Sequence, residues 1–245
     1  MTSAVTSAMI WLAGALLAGT ARASPLTGIE RYSGGARAEQ RLPLVVVLHG
    51  FGATPEDIVE LVTSLSVAAR LWAPHAPTAV GPGWSWFAPS HAPGFADVVP
   101  EIAEARDLVA RSIADEAKAR PTCGRPIVVG FSQGGVLSWA LAGQKSPAIG
   151  LALPVGGALP SALRPRARPR WAPRVRAFHG AADPRVDLVG DQETQAAFAS
   201  AGYDATLRTY PGVQHTITSI EAQDIRDTIT EAIRACGCAQ APASR

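Results

Sequence analysis

Asparagine is absent from this 245-residue chain, and lysine occurs only at Lys118 and Lys145 against 20 arginines. The two missing residue types share A-rich codons, so the skew reports a GC-rich coding sequence and not a function. Without asparagine there is no N-glycosylation acceptor. A surplus of one charge sign is lacking as well: the formal net charge is +2, and nothing global draws the chain to nucleic acid. Cysteine is scarce, with only Cys123, Cys236 and Cys238. No histidine lies near them in sequence, which disfavours a metal site. Cys236 and Cys238 are separated by a single residue and pair with each other only awkwardly. In an oxidising compartment the expected bridge runs from Cys123 to Cys236 or Cys238, leaving one thiol over.

The run "AMIWLAGALLAG", residues 8–19, is too short to span a membrane comfortably. Its length is that of a signal-peptide apolar region, and "ARA" at 21–23 is a small-x-small cleavage pattern ending before Ser24. Residues 1–7 carry no lysine or arginine, only the α-amine, and no cysteine lies near the cleavage site to take a lipid anchor. The expectation is a signal peptide over residues 1–23 and one domain over 24–245. The mature protein would be periplasmic or secreted, with no stable membrane insertion after cleavage.

Hydrophobic residues make up 47% of the chain, enough for a full core. "LPLVVVLHG", 42–50, is a continuous apolar run of the kind that forms a strand buried on both faces. A helix is expected over 54–71, with Thr54 as N-cap, Pro55 at the first helical position and Asp57 completing a capping box. Residues 72–94, rich in Pro, Gly and Trp, read as an irregular loop, and 95–119 as a helix. "RPIVVGFS" ends in a further strand and turn, followed by a helix over 133–144. Strands are expected at 149–157, 174–180 and 204–212, with helices at 190–201 and 218–235. Strands alternating with helices mean an α/β fold, a mostly parallel sheet covered on both faces. No internal repeat or second domain is visible.

"GFSQGG", residues 130–135, sits between the buried strand and the helix. In that setting Gly130-x-Ser132-x-Gly134 is a nucleophile elbow, whose serine takes a strained backbone so that its hydroxyl stands clear of the sheet edge. A serine hydroxyl needs a base to become a good nucleophile, and on this fold the chain order is Ser, then Asp or Glu, then His. Of the five histidines only His179 and His215 follow Ser132, and no acid lies between Ser132 and His179. His215 is therefore the base by elimination, and His179 a packed strand-end residue. The acids in the interval are Asp183, Asp187, Asp191, Glu193 and Asp204; Asp183, just past the strand "RVRAFHG", is preferred, with Asp187 as the fallback. The N–H of Gln133, directly after the serine, and that of Phe51 in the glycine loop "HGFGAT" are expected to form an oxyanion hole. His49 is expected to order that loop.

"LHGFGA", "GFSQGG", "HGAADPRV" and "YPGVQH", in this order and spacing, resemble the phospholipase/carboxylesterase family of α/β-hydrolases, which includes the acyl-protein thioesterases. "PHAP" at 74–77 and "WSWF" at 84–87 resemble its substrate-side loop. The resemblance covers roughly 42–235. It implies an α/β-hydrolase fold, ester hydrolysis by a triad of Ser132, Asp183 and His215 with Phe51 and Gln133 as oxyanion donors, and no metal or cofactor. Two departures stand out: the last motif reads "GVQH" where the family has a Gly-Met-Gly-His-like run, and Ala88 replaces the acidic residue that often follows the Trp-aromatic pair.

The expected partner is a small-molecule ester. Trp84, Trp86 and Phe87 are candidate substrate-pocket residues, with a loop-anchoring role as the alternative. The stretch Arg164–Arg176 holds six arginines and no acid, read as a solvated loop, with binding of a phosphate- or carboxylate-bearing substrate as the other option. No insertion is long enough for a large lid, against an interfacial lipase. The alternatives are an exported polymer or plant-ester depolymerase of the feruloyl-esterase or polyhydroxybutyrate-depolymerase kind, a lysophospholipase or thioesterase, and a non-catalytic binding protein. The last should have lost a triad member or an elbow glycine, and this chain keeps them all.

Overall fold

The computed structural model describes residues 25–238, so the apolar N-terminal run and its cleavage pattern lie outside the described residues. The strands are β1 (Gly28–Ser33), β2 (Leu44–Leu48), β3 (Ala69–Pro74), β4 (Thr78–Val80), β5 (Gly83–Ser85), β6 (Ile127–Phe131), β7 (Leu151–Val155), β8 (Arg174–Gly180) and β9 (Ala205–Tyr210). The helices are α1 (Pro55–Thr63), α2 (Val99–Ala119), α3 (Gln133–Ala142), α4 (Leu188–Ser200) and α5 (Ser219–Ala235). Seven strands form one sheet in the order β1-β3-β2-β6-β7-β8-β9, and β4 and β5 form a separate hairpin. Every pairing in the large sheet is parallel except β1 with β3.

The apolar run of β2 shows why the sheet needs cover on both sides. Successive side chains of a strand face opposite ways. Leu44, Val46 and Leu48 enter one core with Ile102, Val109 and Ile113 of α2, the apolar face of α3 and Phe198 of α4. Val45 and Val47 enter the other with Ile58, Val59 and Val62 of α1 and Ile225, Ile229 and Ile233 of α5. Helix α3 is buried along its whole length, which fits its lack of a polar face.

The stretch expected as an irregular loop over 72–94 carries the end of β3 and the β4–β5 hairpin, and two further departures lie at the β1 edge. The helix expected to run to residue 71 starts at Thr54 with its capping box formed, but ends at Thr63, and Ala69–Pro74 is strand β3. Leu65, Val67, Ala69, Leu71 and Ala73 alternate into the core beside α1 and α5, while Trp72 faces the opposite core. That period of two is a strand pattern. Arg70 points the same way as Trp72 and is buried against Glu116 at 3.0 Å and Glu30 at 3.6 Å. The second departure is β1 itself, whose "GIERYS" shows little apolar alternation and which, at the edge of the sheet, buries only Ser33. Helix α2 also begins four residues later than expected. Gly94 and Phe95 take left-handed backbone at φ 63° and 60°, and the chain makes a 3₁₀ turn over Pro93–Val98 before the α-helix starts. No helix among the described residues is long and apolar enough to cross a membrane.

The parallel strands all end on one side of the sheet. The loops after β2, β6, β8 and β9 therefore converge, and carboxyl strand ends are where open α/β sheets place their sites.

Candidate active site

Ser132 links β6 to α3 and has φ 58° and ψ −116°, a left-handed conformation that a side-chain-bearing residue holds only under constraint. The constraint is close packing on both sides. A Cβ at Gly130 would stand 2.1 Å from the Gly134 carbonyl oxygen, and one at Gly134 would stand 2.1 Å from that of Leu48. No side chain fits at either position, so the glycines two before and two after the serine let three pieces of backbone meet beneath it. Ser132 occupies the N-cap position of α3 yet makes no side-chain cap. Its hydroxyl faces His215 instead.

His215 Nε2 lies 2.9 Å from Ser132 Oγ, and His215 Nδ1 donates to Asp183 Oδ2 at 2.6 Å. The loops that carry the two residues are tied together: the Ala181 and Ala182 N–H groups donate to the Tyr210 and Val213 carbonyls at 2.8 and 2.9 Å. Gly180 allows this approach, since a Cβ there would meet the Val213 oxygen at 2.4 Å. Asp183 Oδ1 accepts from the N–H groups of Arg185 and Val186 at 2.8 and 3.0 Å. Burial works to raise the Asp183 carboxyl. The Val186 N–H, the His215 ring and the Arg185 N–H outweigh it and hold the group below the usual aspartate range. With Nδ1–H fixed on a carboxylate, Nε2 is left free to take a proton from the serine.

The other acids in the interval have other partners. Asp187 caps α4, accepting from the Val189 N–H at 3.0 Å. Glu193 pairs with Arg164 at 3.1 Å and Asp204 with Arg176 at 2.8 Å, so two arginines of the basic stretch are committed to acids. Asp191 is buried and joins a network that sequence reasoning missed. It accepts from Trp139 Nε1 at 2.8 Å and from His179 Nδ1 at 2.7 Å, while His179 Nε2 donates to the Val186 carbonyl at 3.0 Å. Both ring nitrogens of His179 thus face acceptors. Burial opposes its charge, but the hydrogen bond and charge of Asp191 raise its pKa above the ordinary range. His179 Nε2 also lies 3.7 Å from Asp183 Oδ2, which places a second imidazole behind the carboxylate that faces His215. The one sequence signal for this pairing was a histidine inside an apolar strand, where a polar ring needs a buried partner. Gly156, just past β7, was also missed; a Cβ there would lie 3.7 Å from both Asp183 Oδ2 and His215 Cε1.

On the other side of Ser132 runs the loop after β2. A Cβ on Gly50 would come within 3.3 Å of the Ser132 Cβ, so this loop lies directly against the serine. Its Phe51 is 40% exposed. Gln133 opens α3, and the first N–H groups of a helix have no partner within it. His49 is wholly buried, accepts at Nε2 from the Ala76 N–H at 3.3 Å and has its pKa lowered by burial; it orders the loop as expected. Beside Phe51 opens a cleft of about 1100 Å³, walled by Trp86, Phe87, Val80 and Pro89, with Glu104 and Arg111 of α2 across from them. Trp84 is not part of that wall. It packs edge-on against His75 at 5.1 Å, and its backbone bonds to Gly52 and Ala53 at 2.8 and 3.0 Å. Its contacts match the loop-anchoring alternative.

The family model described as phospholipase/carboxylesterase matches residues 35–233. No match to the chain is found among curated proteins. Among solved structures, the esterase PE8 is 23% identical with a TM-score of 0.72, covering 85% of this chain and 99% of that one. Acyl-protein thioesterase 2 of Zea mays is 20% identical with a TM-score of 0.68, covering 84% and 99%. A phospholipase/carboxylesterase from Dyadobacter fermentans is 24% identical with a TM-score of 0.64, covering 84% and 98%. At such identities the likeness shows the fold alone, an α/β-hydrolase fold.

Proposed function

This chain belongs to the phospholipase/carboxylesterase family, and we propose that within it the protein is a serine carboxylesterase acting on small-molecule esters through an acyl-enzyme. The observation that carries this reading is the unbroken line of hydrogen bonds from Ser132 Oγ through the His215 ring to Asp183, at 2.9 and 2.6 Å. His215 Nε2 takes the Ser132 proton as Oγ attacks the ester carbonyl carbon. The carbonyl oxygen becomes an oxyanion held by the Phe51 and Gln133 N–H groups. The C–O bond to the alcohol breaks, and the alcohol leaves with the proton from His215. Water, deprotonated by the same nitrogen, then attacks the acyl-enzyme and releases the acid and Ser132. Asp183 holds the tautomer with Nδ1–H and stabilises the ring while it is charged. The acyl group lies toward the cleft walled by Trp86 and Phe87.

The test is hydrolysis of p-nitrophenyl acetate by wild type and Ser132→Ala. The variant should keep its melting temperature and lose several orders of magnitude in turnover. A Ser132→Ala protein that hydrolyses the ester at nearly the wild-type rate would end this reading.

A further inference from the structure

In the reading above the Gln133 N–H serves the oxyanion; the residue is only 6% exposed, and its side chain has partners of its own. The amide is held by one short stretch of chain. Gln133 Nε2 donates to the Phe87 carbonyl at 2.7 Å, and Gln133 Oε1 accepts from the Trp86 N–H at 3.0 Å and from Ser85 Oγ at 3.3 Å. Ser85 ends β5, Trp86 and Phe87 follow it, and all three line the cleft. The same stretch grips the loop that carries Phe51. Trp86 Nε1 donates to the His49 carbonyl at 2.9 Å, the two rings lie 5.1 Å apart, and Trp84 bonds to Gly52 and Ala53 on both sides of its peptide. Starting from the serine's neighbour, a continuous hydrogen-bonded path therefore leads through the cleft wall to the second N–H donor.

We propose that the Gln133 side chain is a positioning and specificity residue: its amide sets where Trp86 and Phe87 stand and, through them, the separation of the Phe51 and Gln133 N–H groups. This rests on the serine-esterase reading above. An amide is the group that fits, because the stretch offers an N–H and a hydroxyl to an acceptor and a carbonyl to a donor. A group of the same size that does neither leaves the buried Trp86 N–H unpaired, and one that only accepts sets an oxygen against the Phe87 carbonyl, which Ser85 Oγ already reaches at 2.6 Å. The effect on chemistry is indirect, since every variant at this position keeps its own backbone N–H.

The experiment uses the full chain with p-nitrophenyl esters from acetate to octanoate. Gln133→Met matches the size and removes all three bonds. Its kcat on acetate should fall about 10- to 100-fold, short of the 10²–10³ for losing an oxyanion donor outright. KM for acetate should stay unchanged, because so short an acyl group does not reach the wall. The ratio of kcat/KM between octanoate and acetate should move by tenfold or more. Gln133→Glu provides a second reading, also if Gln133→Met does not fold. Ionised, it sets an oxygen against the Phe87 carbonyl; protonated, it donates there and accepts from Trp86 as glutamine does. Its kcat divided by that of wild type at each pH should rise toward one as pH falls from 8.5 to 5.5, with His49 and His215 common to both proteins and cancelling in the ratio. Wild-type kcat and an unmoved chain-length ratio in Gln133→Met, or a pH-independent ratio in Gln133→Glu, would overturn the proposal. Wild type silent on every ester and unlabelled at Ser132 by a fluorophosphonate would instead overturn the esterase reading beneath it.

Discussion

Replacing Asp183 by asparagine tests the acid by its hydrogen bonds alone. Oδ1 accepts two N–H groups, from Arg185 and Val186, at 2.8 and 3.0 Å. Those donors oblige the oxygen of an asparagine to stay where Oδ1 is, which turns its NH₂ toward His215 Nδ1. A donor facing Nδ1 forces the ring proton to Nε2, and Nε2–H then points at Ser132 Oγ instead of accepting from it. The ring is in the wrong tautomer, and the charge that steadies the imidazolium is gone. In a comparable triad this change costs about 10⁴ in turnover, or about 5.5 kcal/mol of barrier. Asp183→Asn should accordingly lose 10³- to 10⁴-fold in kcat on one soluble ester, with little change in melting temperature because two of its three hydrogen bonds survive. Asp187→Asn is the control. Asparagine caps a helix about as well as aspartate, so Asp187→Asn should cost less than about tenfold in kcat, the scale of an outer contact. A crippled Asp187→Asn beside a nearly active Asp183→Asn would refute the assignment of the acid while leaving Ser132 and His215 in place.

Glu221 gives a pH test of stability. It lies in the first turn of α5, 1% exposed, with no hydrogen-bond partner for either carboxyl oxygen among the described residues. Burial, reinforced by the charges of Asp224 and Asp183, lifts its pKa to about 7 against the Thr218 N-cap contact and the charge of His179. The unfolded chain ionises this group near pH 4.3, so the folded state holds the extra proton between there and 7, and stability falls as pH rises across that window by about 4 kcal/mol. Glu221→Gln should flatten that fall relative to wild type in urea melts at pH 5 and pH 8. Equal slopes in the two proteins would refute it, and comparing them removes the similar-signed effect of His179. The structure bridges Cys123 to Cys238 and leaves Cys236 free, so protein made in an oxidising compartment should show one free thiol per denatured chain, at Cys236; three would exclude the bridge. Exported protein should begin at or near Ser24 by N-terminal sequencing, and retention of Met1 through Ala23 would exclude cleavage.

The sequence carried the site better than the sheet edge beside it. Gly130 and Gly134 flag the elbow because a steric demand leaves no other residue type. His215 emerged because chain order left no alternative. Asp183 and Asp187 stayed in competition, since four residues of loop separate them and only the folded hydrogen bonds distinguish a helix cap from a histidine partner. Strand β3 was hidden behind a well-formed helix start at Thr54: nothing in "SLSVAARL" breaks a helix, and the alternation from Leu65 to Ala73 competes with a helical reading. Arg70 looks like a solvent-facing residue until Glu116 and Glu30 supply its buried partners. Trp84 and Trp86 are two apart in one motif, yet only Trp86 walls the cleft: Trp84 lies inside β5 and is tied to Gly52 and Ala53, while Trp86 lies past the end of the strand.

The bridge between Cys123 and Cys238 spans 115 residues of sequence, and Ser132, Asp183 and His215 all lie inside that span. In the oxidised protein they belong to one covalent ring, whose closure withholds about 5 kcal/mol of chain entropy from the unfolded state. The arginine-rich stretch that leads into β8 lies within the same ring, with Arg166 and Arg170 exposed and not followed by proline, which makes it the natural place for a trypsin-like enzyme to cut. Such a cut leaves Ser132 on one piece and Asp183 with His215 on the other. Cys123 stays with the first and Cys238 with the second, so the nicked molecule remains a single covalent body, and only a reductant lets the serine part from its base.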